Sequence, residues 1–235
     1  MDNLFLPKNY RRNSAISYDN SEISNYWDTE RIITAKSYQY SCYEWADKII
    51  KKNEIINVAD VGCGMAYKLD MLCQWNKNLA ITGFDQPNAI EECKKHYPYG
   101  DWVSVNFDKN PAMPSKTFDL VISSDVIEHL EQPDNLLRYL KRLVSASGFI
   151  LISTPERDAL RGKNCLASPN KDHVQEWNQQ EFSLYLEDRG FEIVEQRILQ
   201  AIRPSFSINY MKKFIKRASK FRTMRYSQAL LLRKI

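Results

Sequence analysis

The stretch Asn57-Val-Ala-Asp-Val-Gly-Cys-Gly-Met-Ala66 constrains the fold most, because a short apolar run passes straight into a glycine turn. Ile56, Val58, Ala59 and Val61 suit a strand covered on both faces. Gly62 and Gly64 let the backbone approach a ligand where a Cβ would collide. From Met65 to Trp75 apolar and polar residues alternate at helical spacing, so the turn offers a helix N-terminus to whatever binds there. Strand, glycine turn and helix open a βα unit of the kind that takes a nucleotide-type cofactor.

A dinucleotide fingerprint G-x-G-x-x-G would need its last glycine at position 67, where Tyr67 stands. A second apolar run, 79–85, ends on the carboxylate of Asp85, close to the spacing of roughly 20 residues at which an acid meets ribose hydroxyls. Further runs read as strands at 102–108, at 118–124 (followed by Asp125), at 148–154 (followed by Pro155 and Glu156), at 191–198 and at 227–233. Helical segments between them imply a mostly parallel sheet. Upstream, a helical pattern is expected from Asp28 or Thr29 to Lys52, with Ile33, Ser37, Tyr40, Tyr43 or Glu44, and Ala46 or Ile49 on one face.

Asp60, Val61, Gly62, Cys63, Gly64 and Met65 resemble motif I of the class I S-adenosylmethionine-dependent methyltransferases. Ala66 replaces the third glycine of that pattern and asks for a negative φ there. The resemblance implies an α/β Rossmann-like fold, a seven-stranded mostly parallel sheet with the last strand antiparallel and helices on both faces. It implies S-adenosyl-L-methionine as cofactor, held by Asp60, Gly62, Cys63, Gly64 and Ser124, with Asp85 on the ribose, Gln86 beside it, and Phe107 and Asp108 at the adenine. Cys63 is read as a small residue packed under the cofactor rather than as a nucleophile.

The segment Asp125-Val-Ile-Glu128-His129 follows the fourth strand, where open α/β sheets bind ligands. A helical turn there places Asp125, Glu128 and His129 on one face. Lys171-Asp-His173-Val-Gln-Glu176-Trp177 follows the fifth strand's loop and brings a second imidazole to the same side. Asp125, Glu128, His129 and His173 then form a mixed oxygen and nitrogen set suited to Mg²⁺ or Mn²⁺. The pattern resembles the metal site of small-RNA 3′-terminal 2′-O-methyltransferases, with Asp125 in place of a glutamate. An E-H pair in this position is also similar to that of ubiquinone-biosynthesis, sugar and natural-product O-methyltransferases. His129 and His173 are the catalytic candidates, either through a metal or as the base that deprotonates a hydroxyl. His96 is read as a surface residue.

With 235 residues, 43% of them hydrophobic, the chain can bury one good core. Residues 1–55 are expected to form a lead segment and helix, with Trp27 and nearby tyrosines as a candidate lid. Residues 56–235 are read as a methyltransferase domain carrying a basic helical insertion at about 203–225. No acid follows Glu195, and residues 196–235 carry +11, leaving −7 for the rest of a net +4. Met211, Phe214, Ile215, Ala218 and Phe221 share one face of that insertion, lysines and arginines the other. A basic amphipathic helix suits an anionic membrane surface, a phosphorylated substrate or nucleic acid.

The five cysteines are scattered and never spaced as C-x-x-C, and no run nears the roughly 18 apolar residues of a membrane span. A cytoplasmic protein, peripheral at the membrane, is expected. Its expected acceptor is a hydroxyl of a small molecule such as a phosphorylated or lipid-linked sugar. An RNA 3′ end and a non-catalytic docking role are the alternatives.

Overall fold

The computed structural model describes residues 3–15, 38–107, 109, 111–112, 114–200 and 226–235. Asp108, Trp27 and the expected basic helix at 211–221 lie outside the described residues. In chain order the elements are α1 (Tyr40–Asn53), β1 (Asn57–Val61), α2 (Tyr67–Trp75), β2 (Ala80–Asp85), α3 (Pro87–His96), β3 (Asp101–Ser104) and β4 (Phe118–Ser124). A 3₁₀ turn at Ile127–His129 leads to α4 (Pro133–Leu143), β5 (Val144–Pro155), α5 (Arg157–Arg161), α6 (Gln179–Asp188), β6 (Phe191–Gln200) and β7 (Tyr226–Lys234).

The seven strands form one sheet in the order β3-β2-β1-β4-β5-β7-β6. All neighbouring pairs from β3 to β5 are parallel, whereas β7 runs antiparallel to both β5 and β6. This is the Rossmann-like arrangement expected from the sequence, with only the last strand reversed. Strand order turns back between β1 and β4, and at such a switch point the loops leaving the strand carboxyl ends diverge and open a crevice.

Alternation along the strands divides the core into two layers. Ala59, Val61, Val121, Ile150, Ile152, Leu230 and Leu232 face one side with α4, α6 and Trp177. Val58, Leu120, Ile122, Leu151, Ala229 and Leu231 face the other with α1, α2 and α3. α4 begins with Pro133 in its first turn and buries Leu136, Leu137, Leu140 and Leu143 along one stripe, as its 3.6-residue period requires. α6 opens with a capping box in which Asn178 and Glu181 each accept from the other's backbone N–H.

Three local expectations need correction. The third strand stops at Ser104 instead of reaching residue 108. The helix expected from residue 28 or 29 starts, within the described residues, only at Tyr40, because Gln39 is turned into the left-handed region (φ 59°) while its side chain donates to the Ser124 carbonyl at 3.2 Å. Ala66 has φ 53°, not the negative φ expected, and as the residue capping α2 it keeps the conformation of the glycine it replaces. Residues 3–15 of the expected lead segment are docked by backbone bonds such as Arg11 N–H to Leu166 O at 2.7 Å.

β1 carries one acid into this core. Asp60 is buried and accepts a hydrogen bond from the Tyr43 hydroxyl at 2.8 Å. Burial pushes its carboxyl up to about 7, against the Tyr43 bond and the nearby Lys68 charge. The unfolded chain ionises this group near 3.9, so its contribution to stability is full below about pH 4 and is lost as pH rises to about 7. Asp60→Asn is expected to flatten this dependence, removing on the order of 3–4 kcal/mol of pH-dependent loss in urea titrations between pH 4 and 8. Gly62 has φ +84°, and a Cβ there would lie 2.2 Å from Val126 Cγ2. Gly62→Ala should therefore cost on the order of 2–4 kcal/mol in thermal unfolding, with Val126→Ala restoring only the steric part.

Candidate active site

The glycine turn is held at the carboxyl end of β2. Gly62 N–H and Cys63 N–H both donate to Phe84 O, at 2.8 and 3.2 Å, and Gly64 N–H donates to Asp85 Oδ2 at 2.7 Å. Asp85 Oδ1 accepts from Gln86 N–H at 2.7 Å. Burial raises the Asp85 carboxyl while these two N–H bonds hold it down. Each carboxylate oxygen keeps a second lone pair, so the same side chain that locks the turn can also receive two ribose hydroxyls. The backbone of Gly62 and Gly64 forms the floor beside it, and φ values of 84° and 52° explain why glycine stands at both.

Cys63 is buried, and its thiol is pushed well up by a hydrogen bond with Cys93 and by burial, so it stays protonated and packs under the turn. Phe107 lies in the apolar layer, edge-to-face with Tyr139 at 5.3 Å between ring centres. Ser124 Oγ pairs with Ser153 Oγ at 2.7 Å, and Ser153 in turn donates to Asp125 Oδ1 at 3.1 Å. Burial raises the Asp125 carboxyl, against hydrogen bonds from Gln39 and Ser153.

Glu128, His129 and His173 come together, with one ligand atom of each within 4.8 Å of the others. Asp125 is not a member of this group. Its φ of 54° and the donation of its N–H to Ser153 O at 3.0 Å end β4 before the turn begins, so the helical turn expected to align Asp125 with Glu128 does not form. The 3₁₀ turn at Ile127–His129 presents Glu128 and His129 instead.

Glu128 is fully buried: its Oε2 accepts from Thr154 Oγ1 at 3.0 Å, while Oε1 has no hydrogen-bond partner among the described residues. Burial and the neighbouring Asp125 drive this carboxyl well above its ordinary range. His129 Nδ1 sits 2.7 Å from Asp172 O, and since a carbonyl only accepts, Nδ1 carries the hydrogen and Nε2 is the acceptor nitrogen of the neutral ring. That Nε2 lies 3.9 Å from Glu128 Oε1. His173 Nδ1 lies 2.6 Å from Glu176 Oε1 in the same sense, and the two imidazoles meet edge-to-face at 4.9 Å. Burial would raise Glu176, but bonds from His173 and Arg161 hold it at about 2. It is therefore an anion bound to both and to Ser168 Oγ. A carboxylate behind an imidazole is the outer-shell arrangement that fixes a metal-binding histidine.

Lys68 and Tyr43 are parts of the site that sequence reasoning passed over. Lys68 Nζ lies 5.7 Å from the Tyr43 ring centre, and its burial lowers its pKa against the fields of Asp60 and Asp125. A signal existed: a cation in the first turn of a helix opposes the helix dipole and asks for an anionic neighbour. His96, by contrast, is on the surface at the end of α3, 3.5 Å from Glu92.

The Methyltransferase domain family matches residues 34–196. A probable S-adenosylmethionine-dependent methyltransferase of Mycobacterium tuberculosis is 28% identical over 136 residues, covering 57% of this chain and 48% of that protein. A mitochondrial ubiquinone biosynthesis O-methyltransferase of Candida albicans is 30% identical over 124 residues, covering 48% of this chain and 38% of that one. The chain spans about half the length of the first curated relatives it matches. Among solved structures, the plantazolicin methyltransferase BpumL in complex with a monoazolic desmethylPZN analog and SAH superposes with a TM-score of 0.61 at 17% identity, covering 92% of this chain and 91% of that one. The cyclase SpnF superposes with a TM-score of 0.56 at 15% identity, over 76% and 75%. With the family match extending over most of the chain, from α1 into β6, this protein belongs to the class I S-adenosylmethionine-dependent methyltransferases.

Proposed function

We propose that this chain transfers a methyl group from S-adenosylmethionine to a hydroxyl oxygen of a small molecule, with a saccharide or glycolipid precursor as the acceptor class. The observation that carries the reading is the Glu128–His129–His173 group at the carboxyl end of β4, the strand beside the one that ends in the glycine turn. The cofactor, when bound, supplies an electrophilic methyl carbon on a sulfonium sulfur. This chain's residues must orient the acceptor hydroxyl in line with that carbon, exclude water and take up the hydroxyl proton.

Asp85 and the turn at Gly62 and Gly64 would hold the nucleoside. Lys68, in the fields of Asp60 and Asp125, would offer a cation, and they carboxylates, to the zwitterionic amino-acid end. Glu128, His129 and His173 fit a divalent cation such as Mg²⁺ or Mn²⁺, since a buried carboxylate oxygen with no donor of its own is costly unless a cation answers it. Such a cation would supply Lewis acidity to the acceptor oxygen. Without a cation, His173, with its Nδ1 hydrogen directed to Glu176, would instead have Nε2 free to accept the hydroxyl proton.

The ubiquinone-pathway relative bears an O-methyltransferase name, which favours oxygen as the atom methylated. The charge of +11 over residues 196–235 favours a phosphorylated or lipid-linked acceptor met at an anionic membrane surface. No helix among the described residues is long and apolar enough to cross a membrane.

Calorimetric titration of metal-free protein with S-adenosylhomocysteine tests the cofactor reading. Micromolar binding is expected, weakened at least about tenfold by Asp85→Ala, which removes both the turn lock and the hydroxyl acceptor. Heat with neither protein at high micromolar ligand would mean that the turn holds no such cofactor. A Mn²⁺ titration tests the other half: Glu128→Gln and His173→Ala should each lose cation binding while keeping S-adenosylhomocysteine affinity within about twofold. Unchanged Mn²⁺ binding in both variants would leave the imidazoles as proton acceptors alone.

A further inference from the structure

Residues 3–15 contain no helix or strand, so their polar groups must be satisfied elsewhere, and they find their partners on the segment that carries His173. Arg11 N–H donates to Leu166 O at 2.7 Å and Asn13 N–H to Val174 O at 3.0 Å. Glu176 N–H donates to the Tyr10 hydroxyl oxygen at 2.9 Å, and Trp177 Nε1–H to Leu4 O at 2.9 Å. The Asn13 amide nitrogen lies 3.2, 3.1 and 2.9 Å from the carbonyl oxygens of Ser168, Asn170 and His173. Three carbonyls gathered around two N–H hydrogens bend the loop around one side chain, in a stretch from residue 162 to 178 without helix or strand of its own.

Arg12 extends the same contact to the other half of the site. Its Nε donates to Gln175 Oε1 at 2.8 Å, and a terminal nitrogen donates to Glu131 O at 2.6 Å. Gln175 is fully buried and sends its amide to the carbonyls of Ile127 and Leu130, at 3.2 and 2.9 Å, the two ends of the turn that presents Glu128 and His129. Val174 N–H and Gln175 N–H both close onto Glu128 O, at 2.8 and 3.3 Å. The separation between His173 and the Glu128–His129 turn is thus set by a hydrogen-bonded block whose outermost members, Arg12 and Asn13, belong to the N-terminal strap.

We infer that Arg12 and Asn13 are positioning residues for the Glu128–His129–His173 group, so that the site is complete only when the strap is docked. The inference rests on reading those three residues as one site. Removing the strap's donors leaves the His173 loop held on one side only, and the two imidazoles separate. Coupling is reciprocal: whatever binds across the three residues also holds the strap in place.

The test uses the full chain with Arg12→Ala and Asn13→Asp, the second keeping side-chain size while replacing the N–H donors by a carboxylate facing three carbonyls. The chain has three histidines, so its imidazole ring protons can be assigned, with surface His96 as the internal control. In the unaltered protein a nuclear Overhauser effect between the rings of His129 and His173 is expected from their 4.9 Å separation. It should be lost in the double variant, with Mn²⁺ affinity falling about tenfold and S-adenosylhomocysteine affinity staying within about twofold, the latter showing that the fold is intact. A ring contact that survives in the double variant overturns the inference, as does its absence from the unaltered chain. If the unaltered protein binds no Mn²⁺, the cation reading fails by itself and the ring contact still decides the strap's role.

Discussion

Strands covered on both faces leave a polar side chain little room except at their ends, and this constraint organises the molecule. β1 and β4 lie in the middle of the seven-stranded sheet with apolar layers above and below. Apart from Asp60 inside β1 and Asp119 at the start of β4, the polar and turn-forming residues that follow them lie beyond Val61 and Ser124, at the edge where the order of strands reverses. The parallel pairing of β1 with β2 brings Asp85 to the same edge, and its carboxylate takes the Gly64 N–H that would otherwise be an open backbone donor. The glycine turn is thereby shaped by hydrogen bonds of the chain itself. Fold alone does not choose the chemistry done there, since a cyclase and a methyltransferase both superpose on this chain.

Charge is then distributed over that edge in two groups. Around the glycine turn, Lys68 lies in the fields of Asp60 and Asp125, and all three are shifted toward their neutral forms by burial. Around the following turn, Glu128 is buried without a full set of donors while Glu176 is strongly ionised by His173 and Arg161. The contrast between these two glutamates follows from their partners. Glu176 is answered within the chain and acts as support; Glu128 has an oxygen that the described residues leave unanswered, the feature expected of a group that meets a ligand.

Much of this was legible in the residues themselves. The run 118–124 coincides with β4, and the reversed last strand was expected from 227–233 and found at Tyr226–Lys234. Such runs are readable because alternation and burial act residue by residue. The Asp125 turn was misread because a left-handed residue breaks the period on which the helical reading depends, and the backbone bond to Ser153 that holds it comes from another strand. Ala66 differs for a related reason: the tight turn from Gly62 into α2 holds it in the left-handed region, at φ 53°, although it carries a side chain. Gln175 offered no local signal at all, being one glutamine in a polar loop until three segments close around it.

Local chemistry in the sequence, glycines after an apolar run, an acid at the end of the next, and an E-H pair beyond a third, determined the fold class and the kind of cofactor. Only the tertiary structure decided which acids meet which imidazoles. It put Asp125 outside the group and the N-terminal residues against it, because those distances depend on hydrogen bonds between segments up to 173 residues apart, which no local pattern encodes.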